Sequence, residues 1–231
     1  MKLLRDWDDL PDFMRTEEVR PYYDNLKKHE KELYLKRAFD LVAASILLIL
    51  FAPVMLVVAV WIKLDSPGPV FFRQTRITQY GKEFSIFKFR TMVNNADKMG
   101  SAVTIGGDSR ITNVGNIIRK YRIDEFPQLF NVLSGDMSFV GTRPEVPKYV
   151  NAYSDEMCAT LLLPAGITSE ASIQYKDEER ILDGVNNVDR IYIDYVIPEK
   201  MNWNYKAINN FSLWNEGIIM LRTVLAVLDK E

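Results

Sequence analysis

The stretch LVAASILLILFAPVMLVVAVWI, Leu41 to Ile62, decides the architecture: it runs for 22 residues without a charge. At about 1.5 Å per residue a straight helix of that length reaches about 33 Å, enough to cross the bilayer core. The competing reading is a buried core helix of a soluble protein. The run lies too far from Met1 for an ordinary secretory signal, and no small-residue cleavage site follows it. Pro53 falls at its centre, where it removes a helix hydrogen bond and bends the axis. Both flanks are basic, with Lys36 and Arg37 before the run and Lys63, Arg73 and Arg76 after it, so both ends prefer the cytoplasmic side. A helix that enters, bends at Pro53 and returns satisfies both flanks, with arms of about 15–18 Å each. A kinked spanning helix is the rival. Trp61 suits an interfacial anchor.

Outward from this run the pattern changes. Residues 1–35 mix Trp7, Leu10, Phe13, Met14, Tyr22, Tyr23 and Leu26 with many charges and read as an amphipathic, partly helical extension. After the turn cluster Asp65-Ser66-Pro67-Gly68-Pro69 come PVFFRQTRI and KEFSIFKFRTM, rich in aromatic and β-branched residues and joined through Gln79-Tyr80-Gly81-Lys82, which predicts a β-hairpin. From Thr112 a helix is predicted with Val114, Ile117, Ile118 and Tyr121 on one face. A second follows Arg122, with Phe126, Leu129, Phe130 and Leu133 on one face, Asp124 as its N-cap, Pro127 in its first turn and Gly135 at its end. The last helix carries Trp214, Ile218, Leu221, Leu225 and Leu228 on one stripe, which suits a core or a membrane interface.

Composition narrows the chemistry. The chain has 231 residues, 48% apolar and 26% charged, with one cysteine, Cys158, and one histidine, His29. That pattern excludes disorder, an intrachain disulfide and a Cys-cluster zinc site, and it argues against Ser-His-Asp catalysis, multi-histidine metal sites and haem. Cys158 reads as a small apolar filler. Net charge is −2, but Lys63–Arg143 holds 12 basic and 7 acidic residues while residues 144–231 hold 8 and 14. A basic middle in a mildly acidic chain points to an anionic ligand and not to a nucleic acid.

The chemistry concentrates in RKYRIDEFPQLFNVLSGDMSFVGTRPE, Arg119 to Glu145. Asp124 and Glu125 are adjacent at a predicted helix start, where acids also occur for dipole reasons alone. Here Arg119, Arg122 and Arg143 lie close in sequence, Arg143 in a Gly/Pro-rich loop. Arginine forks match phosphate oxygens; a carboxylate can hold Mg²⁺ on a pyrophosphate or attack phosphorus itself. Basic groups, an acidic pair and an apolar anchor together suggest phosphoryl transfer to a lipid.

From about Lys36 to Leu228 the chain resembles the bacterial sugar transferase family, the small monotopic phosphoglycosyl transferases. The matching pieces are KRAFD with its apolar run and proline, VFFRQTR, FSIFKFRTM, DSRITNVGNIIRKYRIDEFPQLFNVLSGDMSFVGTRPE, PAGIT and IPEKMNWNYKAINNFSLWNEGIIMLRTVLAVL, in the family's order. The resemblance implies transfer of a sugar phosphate from a UDP-sugar to polyprenyl phosphate, with UMP leaving and a polyprenyl diphosphate sugar forming. It implies Asp124 as nucleophile and Glu125 as a ligand of Mg²⁺; a carboxylate at a helix start near arginines and Mg²⁺ is expected to be ionised at neutral pH. It places Arg119, Arg143 and Pro144 at phosphate, Lys88 and Arg90 of KFRT in the same anionic pocket, and Lys36 and Arg37 at the membrane surface. It also implies the bacterial inner membrane, with the catalytic part on the cytoplasmic face; a homo-oligomer is compatible with it. Ala52-Pro53 stands where the family often has Ser-Pro, GTRP where GPRP is commoner, and Ser169-Glu170-Ala171-Ser172-Ile173 follows PAGIT where Gly and an aromatic are common; this last segment bears on the sugar accepted.

The expected fold is a helix-rich α/β membrane-associated domain: an extension 1–35, a re-entrant membrane helix 36–63, and a catalytic domain 64–231 with a small β-hairpin and interfacial amphipathic helices. Two rival functions stand beside transfer through a covalent intermediate. One is a non-catalytic scaffold for glycan assembly; the other is a transferase acting by direct displacement.

Overall fold

The computed structural model describes residues 3–96, 99, 108–175 and 187–228. Two 3₁₀ turns and α1 (Arg20–Lys28) lead into α2 (Glu30–Asp65), which is one continuous helix through Pro53. Helical structure is unbroken at Pro53, where the sequence leads to the expectation of a bend. Proline deletes one donor and strains the preceding turn, but packing on both sides holds the two halves in one helix. Ala44, Leu47, Leu48 and Phe51 pack with Leu129, Val132 and Met137. Beyond the proline, Met55, Val58, Ala59 and Ile62 pack with Phe89, Val114 and Ile118.

Both ends of α2 are tied to the same body. Arg37 donates to the carbonyls of Val132 and Leu133 (2.6 and 3.1 Å), Asp40 accepts from the Phe139 amide (3.3 Å), and Asp65 accepts from the Val114 amide (3.3 Å). The helix is long and apolar enough to cross a membrane, yet only 11% of its most apolar window is buried. Val42, Ile46, Ile49, Leu50, Val57 and Leu64 remain exposed along it.

The predicted hairpin forms as β1 (Phe71–Ile77) and β2 (Glu83–Phe89), antiparallel with Phe71 opposite Phe89 and Ile77 opposite Glu83. Next come α3 (Asn113–Lys120) and α4 (Gln128–Ser134). The Thr112 hydroxyl caps α3 by accepting from the Gly115 amide at 3.0 Å. Gly135 ends α4 at a φ of 89°, as expected of a glycine there. Asp124 does not cap α4. It sits in a separate 3₁₀ turn, Ile123–Glu125, because Arg122 adopts a left-handed conformation (φ 55°) that breaks the chain direction after α3; Pro127 is the residue before α4.

A second small sheet pairs β3 (Met137–Val140) in parallel with β4 (Ala165–Thr168), α5 (Pro147–Val150) and a 3₁₀ turn intervening. At its end the backbones of Gly141 and Gly166 touch: a Cβ on Gly166 would lie 2.2 Å from the Gly141 nitrogen. That approach sets the path of the loop that follows Gly141. After α6 (Glu170–Gln174), α7 (Val188–Ile191) passes through a π-helical turn, Tyr192–Val196, into α8 (Ile197–Asn209). Pro198 has no amide to give to the preceding turn, so the helix widens there.

In α9 (Leu213–Leu228) Trp214, Leu221, Val224 and Leu225 face outward, Trp214 at 78% exposure. These four side chains of the helix face away from the core. The N-terminal segment is built into the body. Leu4, Leu10, Met14, Val19 and Leu26 are buried with Ala159, Leu162, Ile208 and Phe211, and Cys158 fills space in the same cluster.

Candidate active site

Asp124 and Glu125 meet the end of β2 at the mouth of the loop after β3. Asp124 is 7% exposed and Glu125 8%. One Glu125 oxygen, Oε1, accepts from Lys88 Nζ and from Arg143 Nη2, both at 2.8 Å, with Arg122 Nη1 at 3.9 Å. The strand supplies Lys88, the β3 loop supplies Arg143, and the left-handed Arg122 brings its side chain back over the turn. The short 3₁₀ turn gives the two neighbouring carboxylates different surroundings. Glu125 is held in a cationic cage, while Asp124 Oδ1 is buried with no hydrogen-bond partner.

Their acidities diverge accordingly. For Glu125, burial raises the carboxyl pKa, but Arg143, Lys88 and Arg122 outweigh it and hold the group well below the usual carboxylate range. For Asp124, burial and then the neighbouring Glu125 charge raise the pKa, against weaker pulls from Lys88, Arg119 and Arg122. Asp124 is thus less readily ionised in the protein alone than the arginine-rich sequence suggested. Burial lowers the Lys88 pKa, while Glu125 supports its charge.

An unpartnered buried carboxylate oxygen beside a caged carboxylate is an unfinished site. Among the described residues no group of three or more His, Cys, Asp or Glu could hold a metal alone. Mg²⁺ commonly takes one or two carboxylates, keeps waters and completes its shell with substrate phosphates. Glu125 with Asp124 fits that requirement, and the surrounding cations fit the phosphates.

The other expected site residues are placed as follows. Arg119 lies in the last turn of α3 and acts on Asp124 through space. The Pro144 carbonyl accepts from Arg76 Nη1 at 3.0 Å. Arg90 is not gathered here: its guanidinium donates to the carbonyls of Ser66 and Pro67 and to the Ser66 hydroxyl, bracing the turn after α2. Lys36 is buried, donating to the Val140 carbonyl (2.9 Å) and pairing with Glu216 of α9, and Arg37 caps α4. Both cations expected at the membrane surface are structural braces in this fold. Ser169 and Glu170 line a pocket beside the Gly141–Thr142 turn. Sequence reading gave no role to Glu145, Tyr192 or Lys200 and took Arg76 only as a flanking cation; the four meet around the loop that carries Arg143.

The family model described as bacterial sugar transferase matches residues 31–230. This chain belongs to that family. As a bacterial sugar transferase it is 38% identical over 203 residues to a UDP-N-acetylgalactosamine-undecaprenyl-phosphate N-acetylgalactosaminephosphotransferase of Aeromonas hydrophila, covering 84% of this chain and 44% of that protein. It is 40% identical over 196 residues to a UDP-glucose:undecaprenyl-phosphate glucose-1-phosphate transferase of Caulobacter vibrioides, covering 84% and 69%. It is 34% identical over 227 residues to an undecaprenyl-phosphate galactose phosphotransferase of Salmonella typhimurium, covering 90% and 43%. The chain thus spans less than half the length of two of these three relatives. Their names carry three different sugars on one type of acceptor.

Proposed function

We propose that this chain transfers a sugar-1-phosphate from a UDP-sugar to polyprenyl (undecaprenyl) phosphate, releasing UMP, as the first membrane step of polysaccharide or glycoconjugate synthesis. The observation that carries the reading is the buried, unpartnered Oδ1 of Asp124 next to a Glu125 held by Lys88 and Arg143. The relatives' names support the donor and acceptor classes. In the first step an Asp124 oxygen attacks the phosphorus that bears the sugar. The bond from that phosphorus to the bridging oxygen breaks, and UMP leaves with the electron pair. An oxygen of polyprenyl phosphate then attacks the same phosphorus and returns Asp124 as carboxylate. With Asp124 ionised, neither step requires a general base, which agrees with a chain whose single histidine is engaged by Glu32. Mg²⁺, held by Glu125, would offset negative charge on the diphosphate and on departing UMP. Lys88 and Arg143 orient Glu125 and face the same charge; Arg119 and Arg122 add field at Asp124.

The test is intact-protein mass after incubation with UDP-sugar and Mg²⁺ without lipid acceptor. A sugar-phosphate adduct on Asp124, absent in Asp124→Asn, is expected. Direct displacement gives no adduct and no UMP release until lipid is added; a scaffold gives no UMP at all.

The same proposal fixes topology. The body packs along α2 on both sides of Pro53 and holds it at Arg37 and at Asp65. A helix so held does not pass through a bilayer with lipid all around it. We place both of its ends on the cytoplasmic side of the inner membrane, with the exposed faces of α2 and α9 in the lipid interface. Cysteines placed at residues 20 and 150 should both label from the cytoplasm only; periplasmic labelling at residue 20 would establish a span.

A further inference from the structure

Arg143 enters the site from a loop whose next two residues are gripped from three directions. The Glu145 carbonyl accepts from the Ile77 amide at 2.9 Å, and the Pro144 carbonyl accepts from Arg76 Nη1 at 3.0 Å. The Glu145 carboxylate is buried. Its Oε1 accepts from the Tyr192 hydroxyl at 2.6 Å and lies 3.9 Å from Lys200 Nζ, and its Oε2 lies 3.7 Å from Arg76. Lys200 donates to the Tyr192 hydroxyl at 3.0 Å, which leaves that hydroxyl proton directed at Glu145. Tyr192 and Lys200 come from the π-helical turn and α8, far along the chain from the dyad. Arg76 is the second-last residue of strand β1, where Gln74 Oε1 accepts from its Nε and Nη2 at 3.0 and 2.7 Å.

A buried carboxylate between two cations and a phenol is an expensive way to hold a loop if stability is the only gain. It does what an apolar contact cannot: it fixes the direction of the backbone two residues from Arg143. Arg143 in turn holds Glu125 at 2.8 Å. The Arg76 and Arg143 charges also oppose each other across this loop, with Glu145 offsetting the repulsion at Arg76. Glu145 therefore allows two guanidiniums to sit on either side of Pro144 without pushing the loop open.

We propose that Glu145, Arg76, Tyr192 and Lys200 form a positioning network that sets the approach of Arg143 to the donor's diphosphate. This rests on the functional reading above. None of the four need touch substrate.

The experiment is a double-mutant cycle in the full-length membrane-reconstituted protein. Tyr192→Phe, which deletes one hydroxyl and keeps the ring, is combined with Arg143→Lys. Two quantities are read: kcat/KM for UMP release from whichever of UDP-N-acetylgalactosamine, UDP-glucose and UDP-galactose the unaltered protein uses, and Kd for UDP. Tyr192→Phe should lower kcat/KM and UDP affinity by about tenfold in the wild-type background and by less than twofold in the Arg143→Lys background. Equal losses in both backgrounds, or no loss in either, would overturn the proposal, since a merely structural role acts independently of Arg143. Should Tyr192→Phe fail to fold, Arg76→Lys is read in the same cycle with the same criteria. Absent UMP release in the unaltered protein, with the UDP cycle still coupled, removes the functional reading and leaves the network standing.

Discussion

Asp124→Asn is expected to lower turnover by at least about a thousandfold and, in the same protein, to raise its melting temperature at neutral pH. Glu125→Gln should lower both. The two residues are neighbours, and the substitutions are chemically identical, so opposite stability effects isolate their environments. Asp124 has its pKa raised, first by burial and then by Glu125. Its ionised form is therefore worse tolerated in the fold than in the unfolded chain. The deficit exists at pH above the folded pKa and vanishes below the unfolded one, so the gain from the amide shrinks as pH falls through that window. Glu125 has its pKa depressed, because Arg143, Lys88 and Arg122 outweigh burial. Its ionised form contributes stability that is present above the unfolded value near 4.5 and is lost as pH falls through the depressed folded value. The amide at 125 strands two cations against a buried oxygen, a loss of about 3 kcal/mol. Thermal melts in metal-free buffer at neutral and acidic pH decide it. A lower melting temperature for Asp124→Asn at pH 7 would mean that its charge is already compensated within the protein. Partial rescue of Glu125→Gln turnover by raised Mg²⁺ would separate ligation from caging.

The sequence made some of this visible and hid the rest for physical reasons. Long elements announce themselves. The apolar run, the two aromatic strands, the helix that starts after Thr112 and the Gly135 stop each have a local cause, and each forms where its residues demand. Four-residue strands have no period to read, so the β3–β4 pair that launches the Arg143 loop emerges only from a glycine-to-glycine contact between distant segments. In residues 1–35 the charges on one face mask the fully buried Leu4, Met14, Val19 and Leu26 on the other. Glu145, Tyr192 and Lys200 meet across nearly 50 residues or more with no shared motif. Basic residues are the least legible of all. A lysine or arginine beside an apolar run has the same letters whether it meets a lipid head group, as expected of Lys36 and Arg37, or donates to Val140 and Val132 carbonyls, as found.

The arginines supply the second large effect. Arg143→Lys keeps the charge and loses the planar fork that holds Glu125 and that, in the proposed reaction, would face a phosphate at the same time. A charge-assisted contact of this type is worth about 1.5–3 kcal/mol, so kcat/KM should fall by roughly 10- to 100-fold. The melting temperature should change little, because Arg143 is about a third exposed and Lys88 still holds Glu125. Arg90→Lys is the control with the opposite signature. Arg90 is 5% exposed and spends its guanidinium on the Ser66 and Pro67 carbonyls, where lysine cannot reproduce the fork. It should lower the melting temperature and leave kcat/KM nearly unchanged at a temperature where the variant is folded. Both were expected at the diphosphate from sequence; the geometry sets Arg143 against Glu125 and Arg90 against the turn after α2. Catalytic loss in Arg90→Lys with an unchanged melt would return it to the anionic pocket. Wild-type kinetics in Arg143→Lys would remove Arg143 from the site, and with it the reason for burying Glu145 behind it.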